Sequence, residues 1–219
     1  MPTALITGAN RGIGLELARQ LTDKGVDVIG VCRSSSPELD ALAEVWDGVD
    51  VGRDSCVEVL RERAAGRSID LLVNNAGILR HQGIESLHWD DLRLQFEVNS
   101  LGPLRVTQAL LGSLSAGSKV AIVTSRMGSI ADNTSGGAYG YRMSKAAVNI
   151  AGVSLAKDLA ARGIAVVLLH PGWVQTGMTG GRGHVTAAES AQGLLARIDE
   201  LTLETSGTFH HAQGEPLPW

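Results

Sequence analysis

Short apolar runs recur along this chain, each followed by a longer stretch with helical spacing, and this alternation restricts the fold more than any other feature. The runs are TALIT (3–7), VDVIGVC (26–32), DLLVNN (70–75), KVAIVTS (119–125) and IAVVLLH (164–170), with a weaker one near Val49–Val51 and a short last one, GTFHH, at 207–211. Between them, apolar residues fall at helical intervals over Gly14–Lys24, Asp54–Ala65, roughly Trp89–Leu114, Tyr141–Arg162 and Ala187–Leu201. The last helix opens with TAAE (186–189), the spacing of a capping box. Strands that are apolar almost throughout, rather than at every second residue, are covered on both faces. Alternating with helices, they build an α/β fold: a doubly wound, mostly parallel seven-stranded sheet with helices on both faces. No linker, repeat or low-complexity block divides the 219 residues, so one domain over 1–219 is expected.

In such a sheet, ligands sit beyond the carboxyl ends of the strands, beside the first strand, where the strand order reverses. Here the first strand runs straight into TGANRGIGLELA, with glycines at 8, 12 and 14. Glycines there let the backbone turn tightly and approach a pyrophosphate, while the following helix aims its positive end at the phosphates. The spacing is Gly-x-x-x-Gly-x-Gly rather than the common Gly-x-Gly-x-x-Gly, but the strand–turn–helix context marks a Rossmann-type dinucleotide site. The second strand ends in GVCRSSS, with Arg33 and Ser34 where an acidic residue would accept from a ribose hydroxyl. Arg33, with Arg11 in the glycine turn, suits a 2′-phosphate, so NADP(H) is the expected cofactor.

Charge and composition exclude other classes. A net charge of −4 leaves no electrostatic footprint for nucleic acid or an anionic membrane. No run of 18 apolar residues is present, and MPTALITGANRGIG enters a strand without the basic and apolar segments of a signal peptide. Cys32 and Cys56 make no disulfide framework, and the six histidines show no metal-ligand spacing. A cytoplasmic, metal-free protein is expected.

The stretch GGAYGYRMSKAAVN (136–149) holds both tyrosines of the chain, Tyr139 and Tyr141. Residues four apart share a helix face, so Tyr141 lies beside Lys145, whereas Tyr139 does not. An ammonium beside a phenol favours the phenolate and lowers the pKa from about 10. Tyr141 is therefore the candidate acid–base group.

Taken in order, TGANRGIG (7–14), NNAG (74–77), Asn99 in EVNSLGP, Ser125, YRMSK (141–145) and PGWVQT (171–176) resemble the motifs of the short-chain dehydrogenases/reductases over nearly the whole chain. Within that family, SRMGSI, HPGWVQTGM and the ending GEPLPW are similar to the carbonyl-reductase group that includes sniffer and the C-factor signalling proteins. The resemblance implies a carbonyl reductase in which Tyr141 protonates the substrate oxygen, Ser125 hydrogen-bonds it, Lys145 holds the nicotinamide ribose and tunes the phenol, and Asn99 anchors a water of the proton relay. It also implies cofactor contacts from Gly8, Asn10, Arg11, Gly12, Ile13 and Gly14, from Arg33 and Ser34, and from Asp50 and Val51 beside the adenine. Asn75, Ala76, Gly77, Tyr141, Lys145, Pro171, Gly172, Val174 and Thr176 complete that set, with Asn74 supporting the sheet. Ser125 lies sixteen residues before Tyr141 and Ser129 twelve before. Ser125 begins the family's S-x-x-G pattern and is expected to be the serine, with Ser129 as the alternative.

The segment at about 176–187 would be a short substrate lid, made mobile by four glycines and offering Trp173 and Met178 as apolar walls. A small aldehyde or ketone is the expected substrate, and a homodimer through Trp89–Leu114 and Tyr141–Arg162 the expected assembly. The alternative is an NAD(P)-binding signalling protein of the C-factor type with incidental catalysis; retention of Tyr141, Lys145, Ser125 and Asn99 argues for the enzyme.

Overall fold

A computed structural model describes residues 1–219. Seven strands form one sheet in the order β3-β2-β1-β4-β5-β6-β7, and every neighbouring pair is parallel. They are β1 (Thr3–Thr7), β2 (Asp27–Val31), β3 (Glu44–Trp46), β4 (Leu71–Asn74), β5 (Lys119–Val123), β6 (Ala165–His170) and β7 (Thr208–His211). The helices are α1 (Gly12–Asp23), a short α2 (Pro37–Asp40), α3 (Cys56–Arg63), α4 (Trp89–Phe96), α5 (Gly102–Ala109), α6 (Tyr139–Ala160) and α7 (Ala187–Asp199).

The strands are apolar throughout because alternate residues feed two separate cores. Leu5, Leu72, Val120, Ile122 and Val166 pack towards α3, α5 and α6, in a cluster of 23 buried residues. Ala4, Ile6, Val73, Val123, Val167 and Leu169 face α1 and α7, in a cluster of 21. Burying each large aliphatic side chain stabilises the fold by about 1.5–3 kcal/mol. On α1, Gly14, Leu17, Ala18 and Leu21 form the buried stripe, a helical face at intervals of three, one and three residues. No helix is long and apolar enough to cross a membrane.

Three expectations are corrected. The weak strand placed near Val49–Val51 lies instead at Glu44–Trp46, which pairs with Ile29–Val31. Val49 and Val51 are apolar because they are loop residues buried in the core, not because they join the sheet. The single helix expected over Trp89–Leu114 is two helices, joined by one π-helical turn at Glu97–Leu101 and ending at Ala109. Pro103 has no N–H to give to the carbonyl of Asn99, so the α-helical ladder cannot continue, and Gly102 N–H bonds Glu97 O five residues back. Arg105 braces this turn through the Glu97 carbonyl at 3.2 Å and its carboxylate at 2.6 Å. Finally, α6 begins at Tyr139, two residues before the expected start, because Ala138 adopts a left-handed conformation (φ 46°) and its N–H bonds Gln82 O at 3.0 Å.

Candidate active site

The strand order reverses between β1 and β4, and the site opens at their carboxyl ends. Thr7 and Asn75 stitch the two strands together there. The Thr7 hydroxyl accepts from the N–H groups of Asn75 and Ala76, both at 3.0 Å, and Asn75 Nδ2 donates to Thr7 O at 2.9 Å. Gly8 and Gly12 take positive φ (67° and 56°), which admits the sharp turn into α1. Gly14 serves a different purpose: a Cβ on it would strike the carbonyl oxygen of Gly8 and stand 2.6 Å from Asn75 Nδ2, so only glycine packs α1 this tightly against the turn.

Beyond this turn lies one cavity of about 570 Å³, large enough for a cofactor. Of the expected cofactor residues, Gly8, Asn10, Arg11, Gly12, Ile13, Arg33, Ser34, Asp50, Val51, Asn75, Ala76, Gly77, Tyr141, Lys145, Pro171 and Thr176 line it. Gly14, Gly172 and Val174 do not. Gly14 packs behind the turn, Gly172 (φ 91°) sits against Val185 and His211, and Val174 is buried and bridges to Val185. Asn74 turns to Thr107 at 3.2 Å and supports the sheet. Arg11 and Arg33 are exposed and neither pairs with a carboxylate, unlike most arginines of the chain. Asn10 Nδ2 donates to Ser34 O at 2.9 Å and ties the glycine turn to the end of β2.

Tyr141 and Lys145 meet at this cavity from one face of α6, both at least 90% buried, while Tyr139 is 36% exposed. Lys145 Nζ donates to Val123 O at 2.9 Å and stands 5.7 Å from the Tyr141 ring centroid. Ser125 follows β5, and its hydroxyl interacts with the Tyr141 phenol and accepts from Met127 N–H at 3.1 Å. The turn after it docks through Gly128, where a Cβ would lie 2.6 Å from the Lys145 carbonyl carbon. The S-x-x-G pattern thus has a physical reason: it sets the serine against the helix that carries the tyrosine and lysine. Ser129 is buried and accepts from Asp132 N–H at 3.1 Å, a loop hydroxyl turned to its own backbone. Asn99 holds Ile78 by both ends, through N–H at 2.8 Å and carbonyl at 2.9 Å, and donates to Ser144 Oγ at 3.0 Å. Gly77 lies between Asn99 and Lys145.

Against known proteins, residues 2–186 match the family described as short chain dehydrogenase. The chain belongs to that family. As a short-chain dehydrogenase it is 44% identical to the 1-hydroxy-2-glutathionyl-2-methyl-3-butene dehydrogenase of Rhodococcus sp. (strain AD45), over 100% of both chains. It is 49% identical to C-signal of Myxococcus xanthus over 69% of this chain and 93% of that protein. The NADPH-bound carbonyl reductase from chicken fatty liver superposes with a TM-score of 0.89 at 29% identity, covering 100% of this chain and 99% of that one. The resemblance to carbonyl reductases and C-factor proteins read from the motifs is borne out, and the chain is an oxidoreductase by family.

In this short-chain dehydrogenase the protein's own fields act differently from the simplest expectation. Burial pushes the Tyr141 phenol up to about 12, with the Ser125 hydroxyl pulling the other way. Burial also brings Lys145 down to about 8. The lysine was expected to lower the phenol's pKa, but desolvation of the phenolate dominates, and the ammonium is directed at Val123 O.

The cavity gains Val31, Cys32, Val49, Ile78, Val98, Val123, Gly177 and Met178, which motif reading did not assign to the cofactor. Val31, Cys32 and Val123 end strands or directly follow them, where the strand-end rule could have found them. The 176–187 segment is ordered by its own bonds: Thr176 and Thr179 form a capping box, and Gly181 N–H bonds Thr176 O at 2.8 Å. Met178 faces the cavity, whereas Trp173 stacks edge-on against His184 at 4.8 Å and does not line it.

Proposed function

We propose that this chain reduces small aldehydes or ketones with NADPH. The observation that carries the reading is one cavity that brings Tyr141 and Lys145, with Ser125 against the phenol, together with two arginines that no carboxylate neutralises. The residues fit the cofactor: a glycine turn that a Cβ would block opens onto the amino end of α1, and no acidic side chain lies in that helix's first turn. Arg33 and Arg11 would hold the 2′-phosphate, Asp50 and Val51 would border the adenine, and Thr176 would hold the carboxamide. Bound there, NADPH supplies the hydride.

The chain's own side chains handle the proton and the charge. Reduction of C=O builds negative charge on oxygen, so a donor must already be aimed there. Tyr141 gives its proton to that oxygen, and a donor as weak as this phenol parts with it only once alkoxide character has developed. Ser125 donates a second hydrogen bond to the same oxygen. Lys145, eased towards neutrality by burial, exchanges its proton near physiological pH and restores the phenol. Asn99 fixes the loop after β4 and, through Ser144, whose hydroxyl bonds Tyr141 O at 2.8 Å, the first turn of α6. The segment 176–187 would act as the lid, with Met178 as its apolar contact.

The same groups run alcohol oxidation in reverse, which agrees with the dehydrogenase name of the Rhodococcus relative. A signalling role like that named for C-signal is the second reading, favoured by that likeness. Asn99, Ser125, Tyr141 and Lys145 together make a proton-handling set that nucleotide binding alone does not require. A panel of carbonyl compounds followed by NADPH absorbance, with a glutathionyl alcohol and NADP⁺ as the reverse arm, tests the proposal. Turnover of none of them would refute it.

A further inference from the structure

We propose that Asn149 and His170 are positioning residues for the Ser125–Tyr141 pair, acting through one buried water held between them. His170 ends β6, beside Thr124, the residue directly after β5, on one side and His211 of β7 on the other. The register runs Val123↔Leu169 and His170↔His211, and Thr124 N–H donates to Leu169 O at 2.8 Å. Thr124, His170 and His211 therefore form one row across three strands, on the face covered by α6. The two imidazoles meet edge-on, with centroids 5.0 Å apart.

Helix α6 places Asn149 over this row. A Cβ on Gly152 would lie 2.8 Å from a Leu168 methyl, so α6 crosses β6 at that point. Three residues back along α6, from Gly152 to Asn149, is about 4.5 Å towards the sheet's carboxyl edge. Two residues on along β6, from Leu168 to His170, is about 6.6 Å the same way. The side chains agree with this placement, since Thr124 Oγ donates to Asn149 Oδ1 at 2.6 Å.

Two polar atoms here find no partner in the protein: Asn149 Nδ2, on a residue only 4% exposed, and His170 Nδ1. Leaving such buried groups unmet destabilises the fold, so each calls for a partner. Thr124, the neighbour of His170 in the row, already takes Asn149 Oδ1, so the amide stands over the same row and a single water can bridge its Nδ2 to the imidazole. The water accepts from the amide and donates to the imidazole. His211 is already engaged, its Nδ1 accepting from Gln213 N–H at 3.0 Å.

The consequence reaches the active site because Thr124 directly precedes Ser125. Ser125 is anchored from both sides: Thr124 by Asn149 behind it, and Arg126 ahead of it by ion pairs with Asp132 and with Glu215, the latter at 3.1 Å. The groups facing His170 are His211, Arg126 and Lys145, and burial with their charges holds the ring neutral, at a pKa of about 3. A ring that stays neutral offers the water the same acceptor at every working pH.

The test compares crystal structures and kinetics of the wild type, His170→Phe, His170→Asn and Asn149→Leu. Its kinetic arm rests on the reductase reading. The wild type should show a water within hydrogen-bond distance of Asn149 and His170, and His170→Asn should retain it, since an asparagine places a polar atom near Nδ1. His170→Phe and Asn149→Leu should lose it, with Ser125 displaced from Tyr141. In kinetics, kcat of His170→Phe should fall by up to ~100-fold, the scale of a misplacement near 1 Å, while KM for NADPH stays unchanged; His170→Asn should restore kcat. No water at that position, unchanged kcat and Ser125 position in His170→Phe, or His170→Asn as impaired as His170→Phe would each overturn the proposal. If the wild type turns over no carbonyl, the reductase reading fails, while the water and the Ser125 displacement still decide this one.

Discussion

His170 should make the protein sensitive to mild acid by a calculable amount. Its pKa falls from 6.5 to about 3, chiefly through burial, with His211, Arg126 and Lys145 adding repulsion. In the unfolded chain the imidazole takes up a proton as the pH drops below 6.5; in the folded protein it resists until about 3. The unfolded state therefore binds more protons across that window, and stability falls as the pH falls. Integrating between pH 7 and pH 5 gives a loss on the order of 2 kcal/mol from this one ring. His211 is shifted in the same direction and adds to the loss. The perturbation is His170→Asn, which keeps a polar group in place and removes the titration. Urea unfolding at the two pH values, with buried Trp46 among the fluorescent reporters, yields the double difference, from which titrating groups not coupled to His170 cancel. The wild type should lose about 2 kcal/mol more than the variant on acidification. Equal losses would show that His170 is not held neutral by burial, and would refute the reasoning.

Other consequences follow from the cofactor end and the outer helices. Arg33→Asp should weaken NADPH binding by ~10–100-fold, the loss of one charge-assisted contact, and improve NADH by comparison; titration of both cofactors checks it, and equal or tighter NADH binding by the wild type would contradict the NADP preference. Gly14→Ala should impair cofactor binding while the fold persists, because its Cβ meets the Gly8 carbonyl; calorimetric titration beside a thermal melt separates the two effects. The chain should form a homodimer through α5 and α6, whose shared groove is lined by exposed Leu101 and half-buried Leu104, Leu111 and Leu155. Light scattering that finds only a 23.0 kDa species at micromolar concentration would exclude that assembly.

Much of this was legible in the sequence because it is local. The glycine turn follows its strand directly, and Tyr141 and Lys145 are one helical turn apart, so backbone periodicity alone puts them together. What stayed hidden depends on contacts between distant segments or on subtle backbone changes. The π turn at Glu97–Leu101 alters the helical repeat over five residues, too few to disturb a hydrophobic period, although Pro103 was a visible cause. The third strand has three residues, with Glu44 in the sheet and apolar Val49 outside it, so composition pointed to the wrong place. Between Ser125 and Ser129, spacing to the tyrosine favoured Ser129, whereas the packing of Gly128 on the Lys145 backbone favours Ser125. The Thr124–His170–His211 row joins three strands and one helix, and no motif announces it.

The central claim is that the Tyr141 hydroxyl, not merely a nucleotide-binding fold, does the work. Two residues along a helix turn by about 200°, and Tyr141 is 9% exposed against 36% for Tyr139. The direct measurement is turnover of a reducible carbonyl, together with NADPH affinity, for Tyr141→Phe and Tyr139→Phe. Tyr141→Phe should abolish reduction and bind NADPH nearly as the wild type does, because it keeps the ring and deletes only the proton donor, while Tyr139→Phe should remain active. Near-normal turnover in Tyr141→Phe, or a dead Tyr139→Phe, would contradict the account.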